Sequence, residues 1–83
     1  MQPVTDAGTP EAMLVLNRAK LDELRRAHGI ESEAKLARTI GVSAETLWRV
    51  SNGGKPSNAF MARVKLAFPS ASLDVLFEMR VAA

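Results

Sequence analysis

Apolar residues recur every three or four positions along most of this 83-residue chain, and the recurrence breaks repeatedly at glycine or proline. The first such stretch opens at Thr9-Pro10-Glu11: a hydroxyl suited to an N-cap, a proline whose missing N–H is harmless there, and an acid beside the positive end of the helix dipole. It predicts a helix to about His28, stopped by Gly29, with Leu14, Leu21, Leu24 and Ala27 on the buried face. A second short helix starts after Ser32 and turns Ala34, Leu36, Ala37 and Ile40 inward before Gly41. Ser43 opens a third, with Glu45 in its first turn and Leu47 and Val50 facing in, ended by Asn52-Gly53-Gly54. A fourth follows Pro56-Ser57 and carries Met61, Val64 and Phe68 inward as far as Pro69. The fifth begins near Ser72 and buries Leu73, Leu76 and Phe77. Five helices, with no period-two alternation anywhere, predict an all-α bundle of mutually supporting short helices. Residues 1–8 lack a repeating apolar pattern and are expected to form a flexible arm ahead of a single domain over residues 9–83.

Composition narrows the classes. Without cysteine and with one histidine, a disulfide framework and a Cys/His zinc site are both excluded, so a chain this small depends on packing alone. No apolar run approaches the length that crosses a bilayer, and the first ten residues lack a signal-peptide pattern, so a cytoplasmic, membrane-free protein is expected. Eleven bases against nine acids give a net charge of +2, too mild an excess to name a partner by itself.

The informative stretch is Glu33 to Asn52, EAKLARTIGVSAETLWRVSN. Its two short helices are joined by so few residues around Gly41 that they must cross steeply, with a small residue, Ala37, four positions before the glycine. The core claims Leu36, Ile40, Leu47 and Val50, which leaves Ala44, Glu45, Trp48 and Arg49 facing outward. Around this stretch lie LDELRRAHGI at residues 21 to 30, the Asn52-Gly53 loop, KPS at residues 55 to 57 and SLDVLFE at residues 72 to 78.

In this order and spacing, the chain from about Leu21 to Phe77 resembles the lambda-repressor and Cro family of helix-turn-helix proteins, also called Xre-like. The resemblance implies that the third helix enters the major groove of DNA and that the second helix and the following loop hold phosphates. Carried over by position, Ala44, Glu45 and Arg49 match base-reading sites and Trp48 a neighbouring groove-facing one. Arg49 suits a guanine O6/N7 edge, Glu45 a cytosine N4, and Ala44 a thymine methyl. Arg49 also suits a phosphate or open solvent, and Glu45 its own helix dipole. Trp48 suits either packing against a neighbouring element or stacking along the DNA sugar edge. Backbone contacts fall to Ser43, Asn52 and Lys55, with the N–H groups of Gly53 and Gly54, and to Ser57 and Asn58 at the start of the fourth helix. One departure is Glu33, where many members carry a glutamine that bridges a phosphate; a carboxylate cannot donate that bond, so positive charge must come from Lys35, Arg38 or Lys55.

The implied protein is a phage-type repressor or a Cro-like regulator acting on an operator, without a cofactor. Other chemistry finds no foothold. Gly53-Gly54-Lys55-Pro56-Ser57 lacks the first glycine of a P-loop and separates its lysine from its serine. His28 has no nucleophile at triad spacing, and Glu31, Glu33 and Glu45 form no recognisable acid pair or metal set, so no enzyme is expected. On the fifth helix Val75, Met79 and Ala82 repeat at i, i+4 and i+7, an apolar stripe suited to a homodimer, to the seat of a C-terminal domain, or to a frayed, partly apolar chain end. The competing function is an antitoxin-like or regulatory protein-interaction module that captures its partner through that helix or the N-terminal arm.

Overall fold

The computed structural model describes residues 12–81. Its element order is β1 (Ala12–Leu16), α1 (Arg18–Ala27), α2 (Glu33–Ile40), α3 (Ala44–Ser51), α4 (Asn58–Ala67), α5 (Leu73–Leu76) and β2 (Phe77–Val81). Five helices are present, but the fold is not all-α. β1 and β2 pair antiparallel from Ala12 against Val81 to Leu16 against Phe77, forming a two-stranded ribbon.

Both ends of the helical expectation are therefore corrected. The first helix begins at Arg18, capped by Asn17, whose side-chain Oδ1 accepts from the Lys20 N–H at 3.1 Å. Residues 12–16, Ala-Met-Leu-Val-Leu, have no polar position, so a helix there would be apolar all round; as a strand, Val15 and Leu16 are both buried. The expected start at Thr9-Pro10-Glu11 and the arm over residues 1–8 lie outside the described residues. At the other end, α5 is a single turn and the chain extends from Phe77. Phe77-Glu78-Met79-Arg80-Val81 alternates apolar and polar residues strictly, the period-two signature of a strand. Val75 and Met79 thus sit on different elements and form no helical stripe, while Ala82 lies outside the described residues.

Between the strands, the local signals place the helices as expected. Ser32, Ser43 and Ser57 cap α2, α3 and α4, each side chain accepting from the N–H three residues on. Gly41 closes α2 at φ +90° in the left-handed region, and its N–H donates to the Ala37 carbonyl. That leaves only Gly41, Val42 and Ser43 between α2 and α3. A Cβ at Gly41 would also lie 2.8 Å from the Arg63 guanidinium, the free end of a flexible side chain. Gly41→Ala is expected to cost about 1–2 kcal/mol, mostly from the left-handed backbone, seen as a lower urea midpoint with an unchanged slope.

One core joins these elements. Leu21, Leu36, Ile40, Leu47, Val50, Phe60, Val64, Phe68, Leu76 and Phe77 are buried in it, with Leu16 and Ile30. Phe60, which the helical spacing overlooked in favour of Met61, is among its largest fully buried side chains and meets Phe77 edge-on at 6.3 Å. Ala27, Ala34 and Leu73, expected inside, are exposed. Among the described residues no helix is long and apolar enough to cross a membrane.

Candidate nucleic-acid interface

The core takes Leu47 and Val50 from α3 and leaves its other side bare. Ala44, Glu45, Trp48 and Arg49 are all exposed, so the outward face read from the spacing is present. Trp48 is 66% exposed, so most of its surface faces solvent and does not pack on a neighbouring element. The ring is not part of the core.

Arg49 is held at its base. The Gly54 N–H donates to the Arg49 carbonyl at 2.8 Å, and a Cβ at Gly54 would come within 2.6 Å of that oxygen and 2.9 Å of Arg49 Cγ. Only a glycine lets the loop lie against the Arg49 stem, while the guanidinium is free of any carboxylate among the described residues.

The loop after α3 corrects part of the expected phosphate grip. Gly53 takes the left-handed conformation at φ +96° and donates its N–H to the Val50 carbonyl, as Gly54 does to Arg49. Both N–H groups therefore cap α3 and are not free donors. Asn52 is similarly engaged, its Nδ2 donating to the Trp48 carbonyl at 2.8 Å. The Ser43 hydroxyl donates to Thr46 Oγ1 and also accepts from the Thr46 N–H, so it too is used within the helix. Ser57 accepts from the Phe60 N–H, which leaves its hydroxyl proton available. Asn58 is exposed at the first turn of α4.

The electrostatics favour an anion more than the net charge suggests. Glu33, the position out of keeping with a phosphate clamp, is gripped by Arg18: guanidinium Nη2 to Oε1 at 2.6 Å and Nη1 to Oε2 at 2.8 Å. The Arg18 Nη1 also donates to Ser51 Oγ at 2.8 Å, and the guanidinium pairs with Asp22 at 3.0 Å. The Glu33 bond, foremost, holds the arginine charged above its ordinary range, against a smaller opposing effect of burial. Arg18 thereby ties α1 to the start of α2 and the end of α3 while cancelling the Glu33 charge. The spacing of Arg18 to Asp22 was visible as an i, i+4 pair, but nothing local joins Arg18 to Glu33, fifteen residues away. Lys35, Arg38, Arg49 and Lys55 are exposed and make no ion pair among the described residues, so from Glu33 to Asn58 four free cations face one unpaired acid, Glu45.

Among the described residues no cluster of three or more His, Asp or Glu could hold a metal ion. Comparison with models of protein families, with curated proteins and with solved structures finds no match for this chain.

Proposed function

We propose that this protein is a sequence-specific DNA-binding transcriptional regulator of the phage-repressor or Cro-like kind, which inserts α3 into the major groove of an operator. The observation that carries this reading is the α3 face: Ala44, Glu45, Trp48 and Arg49 stand exposed on a helix whose opposite side is fixed in the core. Lys35, Arg38 and Lys55, unpaired among the described residues, support it by supplying phosphate contacts, and the Arg18 grip on Glu33 removes the charge least compatible with them.

In this reading Arg49 reads a guanine edge, Glu45 accepts from a cytosine N4, Ala44 meets a thymine methyl and Trp48 lies along the groove wall. Ser57 and Asn58 add polar contacts to the backbone. The test is selection from randomised duplex DNA at moderate salt. A recovered consensus supports the proposal; absence of enrichment, with affinity insensitive to salt, overturns it. Lys55→Ala is expected to weaken binding equally on all sequences and to reduce the slope of log K against log salt by about one. An unchanged slope would remove Lys55 from the phosphate contacts.

A further inference from the structure

We propose that Arg18 is a positioning residue for α3, holding Arg49 where it reads its base, an inference that rests on the proposed function. The turn at Gly41-Val42-Ser43 joins the C-terminal end of α2 to the N-terminal end of α3. Glu33 and Ser51 are therefore at the two ends of the pair that the turn does not hold. One nitrogen spans them: Arg18 Nη1 donates to Glu33 Oε2 and to Ser51 Oγ, each at 2.8 Å. With a hinge at one end and this strut at the other, the two helices close into a triangle.

The guanidinium is used up by this role. Nε donates to Asp22 Oδ1 at 3.0 Å, and Nη2 donates to Glu33 Oε1 at 2.6 Å while standing 3.0 Å from Asp22 Oδ1. With the two Nη1 bonds, every N–H of the side chain faces a protein oxygen and none remains for a DNA phosphate. Asp22 lies on the same helix as Arg18 and anchors the foot of the strut to α1. The core grips α3 through Leu47 and Val50, apolar contacts without direction, whereas the Arg18 bonds are directional and charge-assisted.

A helix that swings about Ser43 moves least at Ala44 and most at Ser51. Arg49 lies six residues beyond Ser43, about 9 Å along the axis, so a swing of about 10° carries it about 1.5 Å but Ala44 only roughly 0.3 Å. Hydrogen-bond distances vary by only about half an ångström, so a bidentate contact with a guanine edge does not survive such a shift. Loss of the strut therefore falls hardest on the base pair that Arg49 reads. Glu33 is then an acid that serves DNA binding without touching DNA, although by charge alone it repels phosphate.

Competition binding of the full chain to its selected site and to single-base variants of that site tests this, with thermal melting alongside. Arg18→Lys keeps the charge but replaces the planar fork by a point charge, and Glu33→Gln keeps the shape but removes the ion pair. Each should cut the preference at the base pair flattened by Arg49→Ala at least about fivefold, the lower end for one lost base contact, and reduce the other preferences less. Affinity of Glu33→Gln for unrelated DNA should hold or rise, because an acid has gone. Ser51→Ala removes only the α3 end of the strut and should lower the same preference with every charge in place. Unchanged preference at that pair in folded variants, or a loss equal at every pair, overturns the inference and leaves the DNA reading standing. Tighter binding of Glu33→Gln to the selected site does the same, making Glu33 only a repelling charge. A chain that selects no DNA sequence overturns the DNA reading and this inference together.

Discussion

Phe60→Ala is expected to bring this domain close to unfolding. The ring is 1% exposed at the centre of the core and packs edge-on against Phe77, where α5 gives way to β2. Truncating such a side chain removes its transfer free energy and leaves a cavity, together roughly 3–5 kcal/mol. A domain of this length has a total stability of roughly 4–12 kcal/mol. The variant should show a large fall in urea midpoint and a melting temperature lowered by tens of degrees, whereas Phe60→Leu, which keeps most of the volume, should lose less than half as much. A loss below about 1 kcal/mol for the alanine variant would contradict a rigid core at this position.

Arg49→Ala is expected to leave the fold unchanged and to weaken binding to the selected DNA site by roughly 1–3 kcal/mol, a factor of about 5 to 150. Arg49 is exposed and makes no internal ion pair among the described residues, so its removal costs the fold no more than the contact of its stem with the loop at Gly54. Competition binding against single-base variants of the site distinguishes its roles. Loss of preference at one base pair identifies a guanine contact, while an equal loss on every sequence places Arg49 on the phosphate backbone.

The middle of the chain was legible because its signals are local. Serine caps at Ser32, Ser43 and Ser57, glycine at Gly41 and proline at Pro69 act within a turn of where they stand, and the helix boundaries follow them. The outward face of α3 was legible for the same reason, since Leu47 and Val50 fix which side the core takes. The ends were not legible, because their structure is decided at long range. Met13 and Leu14 are good helix formers, and only pairing with residues 77–81 makes a strand of them. Phe77-Glu78-Met79-Arg80-Val81 did carry a local signal, but its alternation is short, and Val75 and Met79 also fit helical spacing. Arg18 and Glu33 were each visible, but no spacing rule joins residues on different helices. In the sequence the glycine N–H groups after α3 look free for phosphates, because the carbonyls they satisfy, those of Arg49 and Val50, become neighbours only when the loop folds back.

The ribbon also sets an order of events in folding. The Asn17–Glu78 contact spans 61 residues, whereas the caps and turns of the helices close over three to five. Closing so long a loop costs entropy that local contacts avoid, so the strands are expected to join after the helices have met. During synthesis the delay is absolute, because β1 emerges first and has no partner until β2 has left the ribosome. For that interval the apolar segment Ala12–Leu16 travels unpaired, and the nascent chain is most exposed to aggregation before its last strand arrives.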